Sequence, residues 1–418
     1  MTSAPAATDS VKDLSPGRGV RRGAGALVVL IAAHNEEQSI VPTLRSVVAQ
    51  TRKATRIVVA ADNCTDNTVA LAKSVKGVTV FETKDNSDRK PGALNQAWRR
   101  YCKKAELVVC IDADTILEPN ALADWEAEFH ANPILGGCSG KFTMLVGEGM
   151  SQREKLLVRL QRAEFSKWTD LALRRSRRTS VLAGTACCLN NDALREVMER
   201  RPVRSDPRRV EDGPWVTTSM VEDFELTYRM RELGWETKVS ATVRAYTDAM
   251  TNVRSLWAQR MKWQTGTVED LLAFGFNRRT RQDWWQQGQG ILAVVIRLLW
   301  LTLLVGAIAT GRFHLHLWWL VPTVLFLAND FKQSLRIPNR DNADVLVAAT
   351  MIPQELFAYM RSAWFVVSWT KVLARKVFGV TYKDGWAKQE RAEAGRRTQV
   401  SGQPAMKVAS DTALAKAA

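Results

Sequence analysis

Two aspartates at the end of an apolar segment have the spacing of a metal-binding pair. Residues 107–111 are apolar and mostly β-prone, which predicts a buried strand that leads into Asp112, with Asp114 two positions further on. On an extended backbone this spacing places both carboxylates on one face. Because like charges repel, the pair predicts a divalent cation or a bound cationic group beside it. The alternative is two solvated acids at an exposed strand end.

A second acidic pair, Glu222 and Asp223, comes directly before an amphipathic segment. Apolar residues from Leu226 to Leu233 have helical spacing, and Gly234 is a typical helix stop. The pair is therefore predicted at a helix N-terminus, where the helix dipole favours carboxylates. Ordinary N-capping would explain the same pattern.

The elements that must position these acids alternate between strands and helices. Strands are predicted at 25–33, 56–61, 78–81 and 107–112, and helices at 38–50 and 68–75 and through 93–98. This βαβαβαβ order predicts a mainly parallel sheet in an α/β fold, with ligands at the carboxyl ends of the strands. The first, second and fourth strands all end in polar residues, which is the main functional signal. Further elements are predicted as helices at 118–132 and 152–175, a strand at 181–190 and a loop at 199–214.

Composition and charge narrow the function classes. The 418 residues carry a formal net charge of +16, which predicts an acidic partner such as nucleic acid, anionic lipid or a phosphorylated substrate. No basic helical stripe or nucleic-acid motif is present, and many basic residues lie beside apolar C-terminal segments, so we predict lipid and no nucleic acid. The sequence lacks GxxxxGK[ST], which excludes a P-loop, and lacks a GxGxxG after a strand, which weakens a dinucleotide site.

The cysteines and the N-terminus indicate a reducing compartment. The sequence has six cysteines without a CxxC pair and only four histidines, which argues against a zinc cage. We interpret the cysteines as reduced thiols in the core of a cytosolic domain. Residues 1–24 lack the apolar centre of a signal peptide and predict a disordered basic leader.

The C-terminal part of the chain contains apolar segments of membrane-like length. Residues 291–309 carry one charge, Arg297, and are long enough to span a bilayer, whereas 317–328 is marginal. Residues 345–369 contain Pro353, Glu355 and Arg361, which favour an interfacial or protein-packed helix. The basic residues that follow predict a cytoplasmic C-terminus. We therefore divide the chain into a catalytic domain (25–280), membrane or interfacial helices (281–380) and a cytoplasmic basic tail (381–418). The alternative is a set of buried core helices.

Six ordered motifs then carry a resemblance to a known family. They are Ala-His-Asn-Glu-Glu at 33–37, Asp-Asn-Cys-Thr-Asp-Asn-Thr at 62–68, Lys-Pro-Gly-Ala-Leu-Asn at 90–95, Asp-Ala-Asp at 112–114, Glu-Asp at 222–223 and Gln-Arg-Met-Lys-Trp at 259–263. Together they resemble family 2 glycosyltransferases with a GT-A fold, especially membrane-bound synthases of cellulose, chitin, hyaluronan and poly-N-acetylglucosamine. Two positions depart from the motifs of that family. Ala61 stands where the family motif DDxSxD has its first acid, and Lys262 stands where the family motif QxxRW has its arginine.

The resemblance implies a hexosyltransferase that moves a sugar from a UDP-sugar to a hydroxyl acceptor with inversion. It implies Asp223 as the general base and Asp114 with Asp112 as ligands of Mg²⁺ or Mn²⁺. The residues implied in donor binding are Asn35, Glu36, Asp62, Lys90, Asp112 and Lys262. The residues implied on the acceptor side are Glu222, Gln259, Trp263, Gly184 and Thr185. A membrane-interface anchor is the alternative role for Trp263.

Several choices stay open at this level. UDP-glucose and UDP-N-acetylglucosamine both fit the resemblance, and the product is either a β-linked polysaccharide or a single sugar on a lipid-linked, glycan or protein acceptor. A non-catalytic scaffold that keeps the fold is a further alternative, although every expected acid is present. The membrane segments predict a location at the cell membrane with a cytoplasmic catalytic domain.

Overall fold

The structure is a computed structural model that describes residues 25–174, 176–201, 213–314 and 320–379. One eight-stranded sheet has the spatial order β3-β2-β1-β4-β7-β6-β8-β5. The strands are β1 (Leu27–Ala33), β2 (Arg56–Ala61), β3 (Val78–Glu82), β4 (Leu107–Asp112), β5 (Ile116–Leu117), β6 (Leu135–Met144), β7 (Ala186–Asn190) and β8 (Glu236–Thr247).

Twelve helices are described around and after this sheet. They are α1 (Ile40–Val48), α2 (Thr68–Ser74), α3 (Arg89–Tyr101), α4 (Ala121–Ala131), α5 (Gln152–Arg174), α6 (Asn191–Arg200), α7 (Glu222–Glu232), α8 (Val253–Phe274), α9 (Arg281–Ala309), α10 (Leu320–Ser334), α11 (Asn342–Ala349) and α12 (Met351–Phe378). The predicted α/β class is confirmed, and the helix that carries Glu222 and Asp223 ends near Gly234, whose φ is +85°.

The first half of the sheet is parallel, as the sequence predicts. Strands β3, β2, β1 and β4 are neighbours, and helices α1, α2 and α3 provide the crossovers. The register pairs Ala33 with Ala61 and Ala32 with Asp112. The carboxyl ends of β1, β2 and β4 therefore meet at one edge of the sheet, and the polar residues that follow them lie side by side.

The second half of the sheet is mixed, although the sheet as a whole is mainly parallel, as predicted. Strand β7 pairs antiparallel with β4 and β6, β6 pairs parallel with β8, and β5 pairs antiparallel with β8. The strand predicted at 181–190 begins only at Ala186. Before it, Leu182 donates its backbone N–H to Thr227 Oγ1 at 2.8 Å instead of to a strand. We call residues 181–185 the β7 entry loop.

Strand β6 was not predicted because it contains three glycines, which have low β-propensity. Packing explains two of them. A Cβ on Gly137 would stand 2.2 Å from Leu182 Cδ1, and a Cβ on Gly136 would stand 2.6 Å from Trp235 Cβ. Strands β5 and β8 and helices α6 and α8 were also not predicted, so the sequence predicts five of the eight strands.

Two apolar cores cover the two faces of the sheet. In β1, Val29 and Ile31 point into the core beneath α4, where Trp125 is fully buried, and Val28 and Leu30 point into the core on the opposite face. Alternating residues of one strand thus serve two cores, which is why the parallel strands are apolar throughout. The six cysteines are unpaired and five are buried, as expected for reduced core thiols.

The C-terminal helices divide into a packed set and an exposed set. Phe357 and Trp364 of α12 pack with Leu256 and Met261 of α8, which confirms that the third apolar segment contributes a protein-packed helix. Helix α9 is long and apolar enough to cross a membrane, and its most apolar stretch is exposed. It is the only such helix among the described residues.

Some predicted segments lie outside the described residues. These are the leader at 1–24, most of the loop at 199–214, the start of the marginal apolar segment at 317–319 and the tail at 381–418. The boundaries of the predicted domains remain predictions.

Candidate active site

Lys90 connects the acidic strand end to the second acidic pair. It lies in the first turn of α3, and its Nζ forms a salt bridge with Asp112 at the end of β4. The same Nζ donates to the carbonyl oxygen of Gly184 at 3.4 Å. The backbone N–H of Gly184 in turn donates to Asp223 Oδ2 at 3.3 Å. The β7 entry loop therefore brings α3, β4 and α7 together around one cation and two carboxylates.

The entry loop is held close to β4 and has little spare room. The backbone N–H of Asp112 donates to the carbonyl oxygen of Thr185 at 3.1 Å. A Cβ on Gly184 would stand 3.0 Å from Lys90 Nζ and 4.0 Å from Asp223 Oδ2. Glycine at this position thus allows the lysine and the aspartate to approach the same stretch of backbone.

Asp223 has the electrostatic character of a base that works near neutral pH. Burial raises its pKa to about 6, and the neighbouring charge of Glu222 also raises it. Lys90 and the backbone N–H groups of Gly184 and Phe224 lower it, but less than burial raises it. A carboxylate with such a pKa is ionised at pH 7 and accepts a proton more readily than an ordinary aspartate.

Lys90 keeps its positive charge in spite of its surroundings. Burial alone would lower its pKa, but the charges of Asp112, Glu222 and Asp223 outweigh this and raise the pKa above its ordinary value. The site therefore holds a permanent cation, surrounded by more negative than positive charge. This arrangement favours a further cation in the presence of an anionic ligand.

Asp114 lies beside the end of β8. Its Oδ1 accepts hydrogen bonds from Thr115 Oγ1 and Thr247 Oγ1, each at 3.3 Å. In the described part of the chain no three Asp, Glu, His or Cys side chains form a complete metal cage. One or two carboxylates, completed by phosphate oxygens and water, are the usual ligands of Mg²⁺ beside a diphosphate. Asp114 and Asp112 fit a cation of that kind.

Three of the residues predicted in donor binding, Asn35, Glu36 and Asp62, lie at the ends of β1 and β2. Asp62 is 6% exposed, and its Oδ1 accepts from Asn86 Nδ2 at 2.7 Å and from Thr83 Oγ1 at 2.8 Å. Asn35 has a φ of 54°, and its Oδ1 accepts the backbone N–H of Thr65 at 2.7 Å. Both side chains are held in place before any ligand arrives.

Glu36 is fixed in the same loop. Its backbone N–H donates to Thr68 Oγ1 at 2.6 Å, and its Oε2 accepts from Ser39 Oγ at 2.7 Å. These three predicted donor-binding residues thus share one edge of the parallel half of the sheet. The edge rule for parallel strands predicted this grouping.

The residues predicted on the acceptor side lie on α8 and α7. Gln259 is half-buried and Trp263 is 36% exposed. Lys262, which was predicted on the donor side, lies on the same helix and is 8% exposed. Glu222 is buried in the first turn of α7. The structure thus distributes these residues over two helices and the entry loop.

Arg260 supports Trp263 and was not singled out from the sequence. Its guanidinium lies 4.4 Å from the centroid of the Trp263 ring and 5.1 Å from that of Phe165, and it pairs with Glu164 at 2.8 Å. It also donates to Gln259 Oε1 at 2.9 Å. A sequence signal existed, because residues three apart on a helix share a face. Asn86 and Thr83 were missed similarly, although they follow the end of β3.

Part of the chain is similar to a known protein family. Residues 28–197 match the Glycosyl transferase family 2 family. Poly-beta-1,6-N-acetyl-D-glucosamine synthase of Staphylococcus aureus (strain COL) is 25% identical over 248 residues, which are 59% of this chain and 55% of that protein. The Staphylococcus epidermidis synthase of the same name is 23% identical over 257 residues, covering 58% and 55%. The chain thus spans about half the length of these relatives.

A solved structure shares the fold. It is the mannosyltransferase PcManGT from Pyrobaculum calidifontis in complex with GDP-Man and Mn²⁺, with a TM-score of 0.51 and 16% identity. The match covers 86% of this chain and 90% of that chain. This likeness shows the GT-A fold, and the family match over residues 28–197 together with the similar synthases indicates a glycosyltransferase.

Proposed function

We propose that this chain is an inverting, metal-dependent glycosyltransferase that adds sugar from a UDP-sugar to a hydroxyl acceptor at the cytoplasmic face of the cell membrane. The observation that carries the proposal is the contact chain from Asp112 through Lys90 and Gly184 to Asp223. This series of contacts places a permanent cation beside a carboxylate with a raised pKa, in a protein that is similar to family 2 glycosyltransferases. The two groups suit the two halves of a glycosyl transfer, departure of a diphosphate and removal of a proton.

Asp223 is the proposed general base. It takes the proton from the acceptor hydroxyl while that oxygen attacks the anomeric carbon, and the bond from this carbon to the diphosphate oxygen breaks on the opposite face. The sugar configuration is thereby inverted, and the nucleoside diphosphate leaves with the bonding electrons. A pKa of about 6 matches this task, because the group is ionised at pH 7 yet basic enough to accept the proton.

The donor is proposed to bind along the edge formed by the ends of β1, β2 and β4. Asn35, Glu36 and Asp62 would hold the nucleoside, and the Lys90 ammonium would face the diphosphate. Asp114 and Asp112 would hold Mg²⁺ or Mn²⁺, which when bound neutralises charge on the leaving group. Asp112 is paired with Lys90, so binding of donor and cation would redistribute this pair. Lys262 is proposed to add a second positive charge on the donor side.

The acceptor is proposed to approach from the side of α7 and α8. Trp263 would stack on a sugar ring, Gln259 would donate or accept a hydrogen bond, and Glu222 would line the same approach. Gly184 and Thr185 in the entry loop would border the acceptor from the other side.

UDP-N-acetylglucosamine is the proposed donor and a β-linked polysaccharide the proposed product. The relatives named poly-beta-1,6-N-acetyl-D-glucosamine synthase support both choices, and UDP-glucose is the donor to compare first. The exposed apolar stretch of α9 supports a place at the membrane. Transfer of a single sugar to a lipid-linked, glycan or protein acceptor is the result that product analysis would have to exclude.

The test is a donor screen with the full chain in membranes. Each of several nucleotide sugars is supplied with Mn²⁺ or Mg²⁺, and released nucleoside diphosphate is measured. Release from UDP-N-acetylglucosamine that disappears with chelator and in Asp114→Ala would support the proposal. Product length on a gel then separates polymer from single transfer. Release that persists in Asp223→Asn with acceptor present would contradict the role of the base.

A further inference from the structure

A cavity of about 200 Å³ lies beside the candidate active site, between the catalytic domain and the start of α9. Its walls come from α5, the segment that leads into the β7 entry loop, the first turn of α7, and helices α8 and α9. None of the residues assigned above to donor, metal or acceptor lines it. Pockets for drug-sized ligands measure about 300–1,000 Å³, so this volume suits a single small unit.

The cavity has the chemistry of a sugar-binding site. Trp168 provides an aromatic wall, and the polar wall contains the amides of Gln282 and Gln286 with the hydroxyls of Ser180 and Thr267. Within the described residues, these four polar groups make no hydrogen bond to the protein, so they are available to a ligand. Amides and hydroxyls both donate and accept, which matches a ring that carries several hydroxyl groups.

A buried carboxylate adds a second, independent sign of a ligand. Asp283 lines the cavity and is 3% exposed. Its Oδ2 accepts from Arg231 at 3.1 Å, whereas its Oδ1 has no hydrogen-bond partner in the described part of the chain. A buried acceptor without a donor costs about 1–3 kcal/mol, which a ligand hydroxyl would recover.

The charges around the cavity favour a neutral ligand over a phosphate. Arg231 is engaged by Asp283, and Arg178, the cation that lines the cavity, faces Glu236 at 3.9 Å. Each positive charge therefore has an acidic neighbour. A diphosphate or an anionic lipid headgroup would find less compensation here than beside Lys90.

The cavity continues the acceptor side and not the donor side. Phe224, which lines it, directly follows Asp223, and Gln264 directly follows Trp263. Trp168 lies one turn along α5 from Phe165, whose ring centroid is 6.2 Å from that of Trp263. A chain of sugars whose end reaches the base would therefore have its preceding units near this cavity.

We propose that this cavity is a distal acceptor subsite, which binds a neutral sugar unit of the glycan at least two units behind the sugar that carries the reacting hydroxyl. The inference rests on the proposed function, and it adds the substrate class that the enzyme prefers, an oligosaccharide over a short acceptor. A subsite of this kind would hold the glycan between additions and so favour repeated transfer.

The experiment compares two acceptors with the full chain in membranes. The probes are β-1,6-linked N-acetylglucosamine disaccharide and pentasaccharide, with UDP-N-acetylglucosamine as donor. Gln286→Ala is expected to raise the KM of the pentasaccharide about fivefold, the effect of one lost hydrogen bond, and to leave the disaccharide and donor KM unchanged. Gln282→Ala is expected to act in the same direction.

Gln289→Ala is the matched control, because Gln289 lies on the same helix, is exposed and does not line the cavity. Equal KM changes for both acceptors, or equal behaviour of Gln286→Ala and Gln289→Ala, would overturn the subsite.

A binding measurement separates this inference from the proposed function. Pentasaccharide binding to the purified chain is measured by calorimetry without donor, so that no turnover is needed. Weaker binding in Gln286→Ala than in Gln289→Ala would support the subsite even if no donor is used. Absence of binding to the unmodified chain would overturn it, whereas absence of diphosphate release from every donor would overturn only the proposed function.

Discussion

The proposed donor side and the proposed acceptor side of this site are built in different ways. The donor side uses the ends of β1, β2 and β4, which are neighbours in one parallel half-sheet and come from residues 27–112. The acceptor side uses α5, α7 and α8 with the β7 entry loop, so that Phe165 meets Trp263 and Gly184 meets Asp223. The first follows from strand order, whereas the second depends on how distant helices pack.

The two sides also differ in how their carboxylates are stabilised. Asp62 accepts side-chain hydrogen bonds from Thr83 and Asn86, which hold its carboxylate group in position. Among the described residues, Asp223 accepts hydrogen bonds only from backbone N–H groups, and its burial raises its pKa to about 6. The donor side is thus preorganised for binding, and the acceptor side holds a group that can change its protonation state.

The largest expected effect is at the base. Asp223→Asn should lower the rate of diphosphate release with acceptor by about 10³-fold, because an amide cannot take the proton. Donor affinity should stay unchanged, measured as binding of UDP. Glu232→Gln, an acid at the other end of α7, is the control and should keep its activity. A loss of UDP binding in Asp223→Asn would show that the two sides are not separate.

The same variant should be more stable than the unmodified chain at pH 7. The native pKa of Asp223 lies above its unfolded value of about 3.9, so the native state binds the proton more tightly. Stability therefore falls as pH rises from about 4 to about 6, and the cost persists above that range. Asp223→Asn removes this cost and should raise the free energy of unfolding by about 1–3 kcal/mol at pH 7, measured by denaturant titration. A decrease would contradict burial of the carboxylate as the cause of the raised pKa.

The next effect is expected at the strand end. Asp114→Ala should lower turnover by about 10²–10³-fold, because a ligand of the cation on the leaving group is lost. Excess Mn²⁺ should restore part of the activity, whereas it should not help Asp223→Asn. The measurement is diphosphate release as a function of Mn²⁺ concentration. Full activity of Asp114→Ala in the presence of chelator would contradict the proposed metal ion on the donor side.

Lys90 links the two sides, and its removal should affect both. Lys90→Met should lower kcat/KM about 10²-fold, the usual effect of losing one charge-stabilising donor. In the unmodified chain, kcat/KM should fall below about pH 6 as Asp223 becomes protonated. Because Lys90 lowers the pKa of Asp223, this limb should move to higher pH in the variant. If kcat/KM falls at the same pH in Lys90→Met as in the unmodified chain, Lys90 does not lower the pKa of Asp223.

The smallest effect is expected behind the acceptor tryptophan. Arg260→Gln should raise the acceptor KM about fivefold, because the cation over the Trp263 ring holds that ring in place at about 1 kcal/mol. The donor KM should not change. Arg254→Gln, an exposed arginine in the first turn of the same helix, is the control. A change in donor KM would place α8 on the donor side, closer to the role predicted for Lys262.

The sequence alone predicted which residues meet at the ends of β1, β2 and β4, but it did not predict the contacts among α5, α7 and α8. Strand ends in a βαβ series are set by local hydrophobic pattern, and the chirality of the crossovers leaves little choice, so Asp62 and Asp112 had to share an edge. The positions of Gly184 and Asp223 were implied only by family resemblance. Arg260 and the glycine-rich strand β6 were not found at all, because contacts with Phe165 and Leu182 explain them and these partners are remote in sequence.

What the sequence determined by itself is the chemistry available: two acidic pairs, one lysine before a helix, and an apolar helix that continues beyond the domain. Periodicity and residue type are local properties, and they decide which groups stand at strand and helix ends. The tertiary structure alone decided that Lys90 contacts Asp112 and that a backbone N–H of the entry loop donates a hydrogen bond to Asp223. It also decided that burial raises the pKa of this carboxylate. Desolvation and charge neighbours depend on packing in three dimensions, and no pattern along the chain contains them.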